Sequence, residues 1–128
     1  MSILTSLFFA LAFTIPNTAN AQILTATSTL PDKVSVLSTV FAVDPKTVNA
    51  IIKCESGGNP KALNYNKNKT YDHSYWQIND SHRSEALKRG LDIEIPDENL
   101  LFGFQLLKEQ GLKPWEASKK CWSPTIDG

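Results

Sequence analysis

The sequence is poor in histidine and cysteine, carries no surplus of charge and has no long apolar run, and each shortage excludes a class of function. Its 13 basic and 13 acidic residues leave no formal net charge. Bulk electrostatics would therefore not draw in an acidic polymer, and nucleic acid is not expected as a partner. The 2 histidines, His73 and His82, have no third ligand at metal-site spacing, so no metal is expected. Asn64, Asn66 and Asn68 alternate as in a calcium loop, but Lys69 stands where that loop needs glycine and Tyr75 where it needs a bidentate glutamate. The apolar run from Ile3 to Phe13 is too short to span a bilayer and leads into polar residues, so no stable membrane anchor is expected.

What that run does resemble is an export signal. It is uncharged and passes through Pro16 to Ala19-Asn20-Ala21, a small-x-small pattern that predicts cleavage before Gln22. No Lys or Arg precedes it, which leaves the terminal amine as the positive n-region. Residues 1–21 are thus read as a signal peptide, and the protein as secreted or periplasmic. Residues 22–30, rich in Thr, Ala and Ser with no period, read as a flexible linker. Residues 31–128 suffice for one domain with a single core. A monomer is expected. In an oxidising compartment the pair of cysteines is expected as a disulfide, Cys54 to Cys121. The rival reading, Cys54 as nucleophile and His73 as base, needs a thiolate environment that an apolar helix face does not supply.

Helical periodicity appears from Pro31-Asp32 onward, where Val34, Leu37, Val40 and Phe41 predict a first amphipathic helix. Asp44-Pro45 supplies an N-cap and a first-turn proline for a second. The period disappears between Asn64 and Tyr75, where polar residues and tyrosines surround an expected turn at 66–69, a small β-wing. Ser84 to Arg89 forms a short helix stopped by Gly90. Pro96-Asp97 opens a longer one, with Leu100, Phe104 and Leu107 inward and Gly111 at its end. Gly103 offers a place for another element to approach closely, or is a tolerated helix-interior glycine. Lys113 to Trp122 reads as a terminal turn or short helix whose Trp115 and Trp122 seal the core.

The chemistry gathers between Cys54 and Asn79. Val48, Ile51 and Ile52 recur at helical spacing and Glu55 falls on the same face, so a carboxyl has been set on an apolar stripe. Lost hydration there favours the neutral acid, which suits proton donation near neutral pH. Gly57-Gly58 then stop the helix. The plain alternative is an exposed last-turn glutamate whose stem alone packs. A second carboxylate, Asp72, lies in a polar segment that can stay wet, and two carboxylates in unlike surroundings suit glycoside cleavage.

Glu55-Ser56-Gly57-Gly58-Asn59-Pro60-Lys61-Ala62-Leu63-Asn64, followed by Trp76-Gln77-Ile78-Asn79, resembles the paired motifs of lysozyme-like and soluble-lytic-transglycosylase domains. The resemblance implies that Glu55 is the catalytic acid and that Gln77 lines a sugar cleft. Chicken-type lysozymes also carry an aspartate five residues before their Gln-Ile-Asn, the position of Asp72 here. Two departures bear on the local turn: Ser74 stands where these families usually have glycine, and Tyr75-Trp76 is bulkier than their usual aliphatic pair. Asn64 and Asn79 supply donors and acceptors suited to sugar hydroxyls, though turn formation accounts for such asparagines as well. Tyr75, beside the Gln-Ile-Asn, is the aromatic expected to stack on a sugar; Tyr65 and Tyr71 suit cross-strand packing.

The expected fold is α+β and mostly helical, lysozyme-like, with a small β-wing beside the catalytic helix. The implied partner is peptidoglycan or a related N-acetylated glycan, and no cofactor is required. The expected function is an exported muramidase using Glu55 as general acid and Asp72 as nucleophile or charge stabiliser. Two alternatives stand beside it: a lytic transglycosylase, in which the sugar's own 6-hydroxyl attacks and Asp72 is a turn residue, and a glycan-binding module without turnover.

Overall fold

The computed structural model describes residues 28–128, so the expected signal peptide and most of the expected linker lie outside the described residues. Helix α1, Leu30–Phe41, begins inside the stretch read as linker because Thr29 forms a capping box with Asp32. Its inner face is Val34, Leu37, Ser38 and the half-buried Phe41, an i, i+3, i+4, i+7 stripe. Val40, expected inward, lies off that stripe and is 56% exposed.

Helix α2, Pro45–Ser56, starts where Asp44 accepts from the Lys46 N–H at 2.9 Å and Pro45 occupies the first turn. It buries Val48, Ala50, Ile51 and Ile52, and ends at Gly57, whose φ of +63° is the left-handed stop that its position implied.

The wing is an antiparallel sheet in the order β1-β2-β3, from Leu63–Tyr65, Tyr71–His73 and Ile78–Asn79. Its register pairs Asn64 with Asp72 and Asp72 with Asn79. Side chains alternate along a strand, so these three share one face, while Leu63, His73 and Ile78 share the other. The turn between β1 and β2 is built by Asn66, Asn68 and Thr70, with Lys69 at φ +65°.

A 3-10 turn, Asp80–His82, leads into the short helix α3, Arg83–Lys88, and then α4, Pro96–Gln110. Helix α4 is the centre of the core: Asn99 to Leu107 are buried without interruption, as expected of a helix enclosed on all sides. Gly103 is where Trp76 lies against it; a Cβ there would stand 2.1 Å from the indole Cδ1. A 3-10 segment, Lys113–Ser118, and helix α5, Lys119–Asp127, close the domain, with Trp115 and Trp122 buried. The Cys54–Cys121 disulfide joins α2 to α5 across 67 residues of sequence. Loop entropy assigns such a closure about 4 kcal/mol of stabilisation.

Candidate active site

Glu55 occupies the last turn of α2, half-buried, three and four residues beyond the buried Ile52 and Ile51. Burial pushes its carboxyl above the ordinary range, and the negative charge of Asp72 adds to the rise. The C-terminal end of a helix dipole acts in the same direction. One contact opposes them: the Ser118 hydroxyl donates to Glu55 Oε1. Ser118 comes from the far end of the chain, at the junction of the last 3-10 segment and α5.

The neighbouring residue ties the helix end to the segment below it. Ser56 Oγ lies 2.8 Å from the Tyr75 carbonyl and accepts from the Gly58 N–H at 3.2 Å. Asn59 then accepts from the Lys61 N–H at 2.9 Å and turns the chain into β1.

Asp72 is half-buried in the central strand, where the Asn79 amide donates to its Oδ1 at 2.7 Å. The strand itself is anchored from behind by Asp80, whose carboxylate accepts from the Tyr71 N–H at 2.8 Å and from Arg83 at 2.9 Å and faces His73 Nε2 at 2.7 Å. Those donors hold the Asp80 carboxyl far below the usual carboxylate range. Asp72 and Glu55 thus come from separate elements and act on each other electrostatically.

Gln77 sits at φ +52°, and its side chain is turned inward to bind backbone and wing. Its Nε2 donates to the carbonyls of Ala62 and Ser74 at 3.1 and 2.9 Å, and its Oε1 accepts from Asn64. Asn79 is engaged in the same way: besides Asp72, its amide reaches Thr70 Oγ1 at 2.8 Å, and its oxygen caps the following turn at Ser81 N. In this structure Gln77 and Asn79 therefore shape the wing and hold Asp72, with both amide hydrogens already committed. Asn64 remains exposed, joined to Gln77.

Tyr75 is a correction. It is only 7% exposed and belongs to the core, so its ring offers no face for a sugar to stack on. The cause is the turn before it: Ser74, at φ +59°, reverses the chain and sends Tyr75 and Trp76 inward together. That left-handed backbone is also what a glycine would adopt without strain. Ser74 adopts it with its hydroxyl buried and without a hydrogen-bond partner.

Two further residues carry little signal in the sequence. Asn99, fully buried on α4, donates to the carbonyls of His73 and Ile93 at 2.9 Å each and accepts from the Trp76 N–H at 3.2 Å, fixing the wing to the core. A polar side chain inside the apolar run of α4 was the signal for it. Ser118 had no comparable signal beyond a position that suits a helix cap. Trp115 Nε1 donates to the Trp76 carbonyl and Trp122 Nε1 to the Trp115 carbonyl, each at 3.0 Å.

Among the described residues no group of histidine, cysteine and acidic side chains could hold a metal ion, and no helix is long and apolar enough to cross a membrane. Residues 34–117 match the family model described as the transglycosylase SLT domain. No curated protein matches the chain.

Proposed function

The chain belongs to the transglycosylase SLT domain family, and on that premise we propose that it cuts the glycan strand of peptidoglycan outside the cytoplasm, with Glu55 as the catalytic acid. The observation that carries this reading is the setting of Glu55: a half-buried carboxyl, raised above its ordinary range by burial and further by the negative charge of Asp72. Such an acid keeps its proton to a higher pH than an exposed glutamate and can deliver it to the glycosidic oxygen as the C–O bond breaks toward an oxocarbenium-like state. The departing sugar takes that proton as its hydroxyl. Glu55, now a carboxylate, accepts a proton from whichever nucleophile closes the anomeric carbon.

Two nucleophiles fit. Family membership favours the sugar's own 6-hydroxyl, which needs one acid-base group and yields a 1,6-anhydro end. The second reading is hydrolysis by water, favoured by Asp72, a second carboxylate that is held by Asn79 and whose charge acts on Glu55. The Cys54–Cys121 disulfide is compatible with export.

The test of the shared step is release of fragments from purified peptidoglycan by the oxidised protein and by Glu55→Gln. The wild type is expected to solubilise the wall and the folded variant to lose this by at least the factor of about 10²–10⁴ usual for a general acid. Release at the wild-type rate by Glu55→Gln would remove Glu55 from the mechanism.

A further inference from the structure

Ser118 stands at the N-cap position of α5, where a serine ordinarily spends its hydroxyl on the first free N–H groups of the helix. Here it makes no capping hydrogen bond. Its backbone is not in the extended conformation of a cap, with φ −99° and ψ 10°, and the hydroxyl lies instead against Glu55 Oε1. The preceding 3-10 segment already takes the first N–H of α5, Lys119 N–H to the Glu116 carbonyl, so the Ser118 hydroxyl is free for an acidic group 63 residues away.

The surroundings hold the pair together. Cys54 directly precedes Glu55, and Cys121 lies one helical turn beyond Ser118, so the disulfide clamps both elements beside the hydrogen bond. On the other side of Ser118, its Oγ is 3.1 Å from the Trp115 carbonyl, which also accepts from Trp122 Nε1 at 3.0 Å. The hydroxyl has one hydrogen and two lone pairs, with a carboxyl on one side and a fixed carbonyl on the other.

We propose that Ser118 is the positioning residue of the catalytic acid: its hydroxyl holds Glu55 Oε1 through the proton-transfer cycle and leaves Oε2 for the glycosidic oxygen. When Glu55 is ionised, Ser118 donates to Oε1. When Glu55 carries its proton on Oε2, Oε1 is a carbonyl oxygen and the same donation persists, so the carboxyl need not rotate between states. With the proton on Oε1 the relay reverses, Glu55 donating to Ser118 Oγ and Ser118 donating to the Trp115 carbonyl, so the hydroxyl holds Oε1 in every protonation state. No protein partner of Oε2 is present among the described residues. The charges facing this pair are few. Asp72 acts on Glu55 from β2, while Glu116 and Lys119, which flank Ser118, are exposed and pair with each other at 3.6 Å.

The proposal rests on Glu55 being the acid, and the experiment separates the two claims. Turnover of soluble, uncrosslinked peptidoglycan strands is measured across pH for the wild type, Ser118→Ala, Ser118→Val, Ser118→Thr and Glu55→Gln, each checked for folding by circular dichroism. Losing the hydroxyl should cut kcat by on the order of tenfold with KM little changed, since only the alignment of the acid is affected. It should also move the alkaline limb of the profile to higher pH, because a hydrogen bond to the charged form has gone. Ser118→Thr should keep both properties near wild type, and Ser118→Val, of the same shape, should lose both. Wild-type kcat and an unmoved limb in folded Ser118→Ala or Ser118→Val would overturn the positioning role, as would a folded Ser118→Thr that behaves like Ser118→Val. Activity in Glu55→Gln would overturn the underlying assignment of the acid instead.

Discussion

The amide of Asn79 donates to Asp72 Oδ1 at 2.7 Å and to Thr70 Oγ1 at 2.8 Å, so one side chain of β3 fixes both the carboxylate of β2 and the turn that precedes it. The two residues are also register partners. The Gln77-Ile78-Asn79 segment is consequently a support for the second carboxylate: Gln77 fastens it to β1 and Asn79 grips Asp72. Gln77, whose position the resemblance links to sugar lining, here has its side-chain amide bound to the Ala62 and Ser74 carbonyls and to Asn64.

This arrangement makes Asp72→Asn the informative substitution for the ending of the reaction. If water attacks with Asp72 carrying charge or acting as nucleophile, Asp72→Asn should lose two to three orders of magnitude in turnover, about the effect of deleting one aligned electrostatic group. Fragments from the wild type would then carry reducing ends. If the 6-hydroxyl attacks, the substitution should cost tenfold or less, and mass spectrometry should find fragments lighter by one water. A large loss in Asp72→Asn combined with purely 1,6-anhydro products would contradict both assignments of its role.

Ser74 combines two costs in one residue, a left-handed backbone and a buried hydroxyl without a partner. A left-handed non-glycine residue gives up roughly 1–2 kcal/mol, and an unpaired buried hydroxyl costs about 1–3 kcal/mol. Glycine removes both and returns about 0.5–1 kcal/mol through the entropy of the unfolded chain. Ser74→Gly should therefore stabilise the domain by roughly 1 kcal/mol or more, read as a higher urea midpoint with unchanged slope. A midpoint at or below wild type would mean that the hydroxyl is doing something the geometry does not reveal.

The opposite effect is expected at Gly103. An added methyl would lie 2.1 Å from Trp76 Cδ1, and Trp76 has nowhere to go: it is fully buried, its Nε1 is bound to the Leu100 carbonyl at 3.0 Å, and Trp115 packs 4.7 Å from its ring centroid. Better helix propensity offers about 1 kcal/mol in compensation, against overpacking of about 3 kcal/mol. Gly103→Ala should lower the urea midpoint by an amount equivalent to about 2 kcal/mol. An unchanged midpoint would show that Trp76 can leave its slot.

What is legible in the sequence is local. The apolar phase of Val48, Ile51 and Ile52, the Asp44-Pro45 start and the Gly57 stop together define α2, and they put Glu55 at its inward end. The cysteine pair and the long helix with Leu100, Phe104 and Leu107 inward followed from equally short-range or compositional signals, whereas the burial of that helix from Asn99 through Leu107 did not. Partnerships across the fold were hidden. Which polar group would meet Glu55 depended on how the C-terminal helix packs onto α2, and nothing near Ser118 encodes that. The direction of Tyr75 depended on the left-handed turn at Ser74, a conformation that serine does not advertise. The side chains of Gln77 and Asn79 looked available for ligand because their internal partners lie on other strands.

The raised carboxyl of Glu55 has a thermodynamic consequence that can be measured without substrate. Burial and Asp72 favour the protonated form in the folded state, with Ser118 only partly offsetting them, so the native protein binds its proton more tightly than the unfolded chain does. Stability must then fall as pH rises from the unfolded value, near 4.5, through the higher folded one. Below the unfolded value both states are protonated and the penalty is absent; above the folded value both are ionised and it is fully incurred. Glu55→Gln has no proton to lose, keeps nearly the same shape and can still bond to Ser118. The variant should therefore melt at a higher temperature than wild type at pH 7, and the difference should shrink toward zero at pH 4. Groups common to both proteins cancel in that difference, which isolates Glu55. A melting difference that is independent of pH, or that favours the wild type at pH 7, would mean that the folded protein does not hold Glu55 as a reluctant anion, and the physical basis for its role as the acid would be lost.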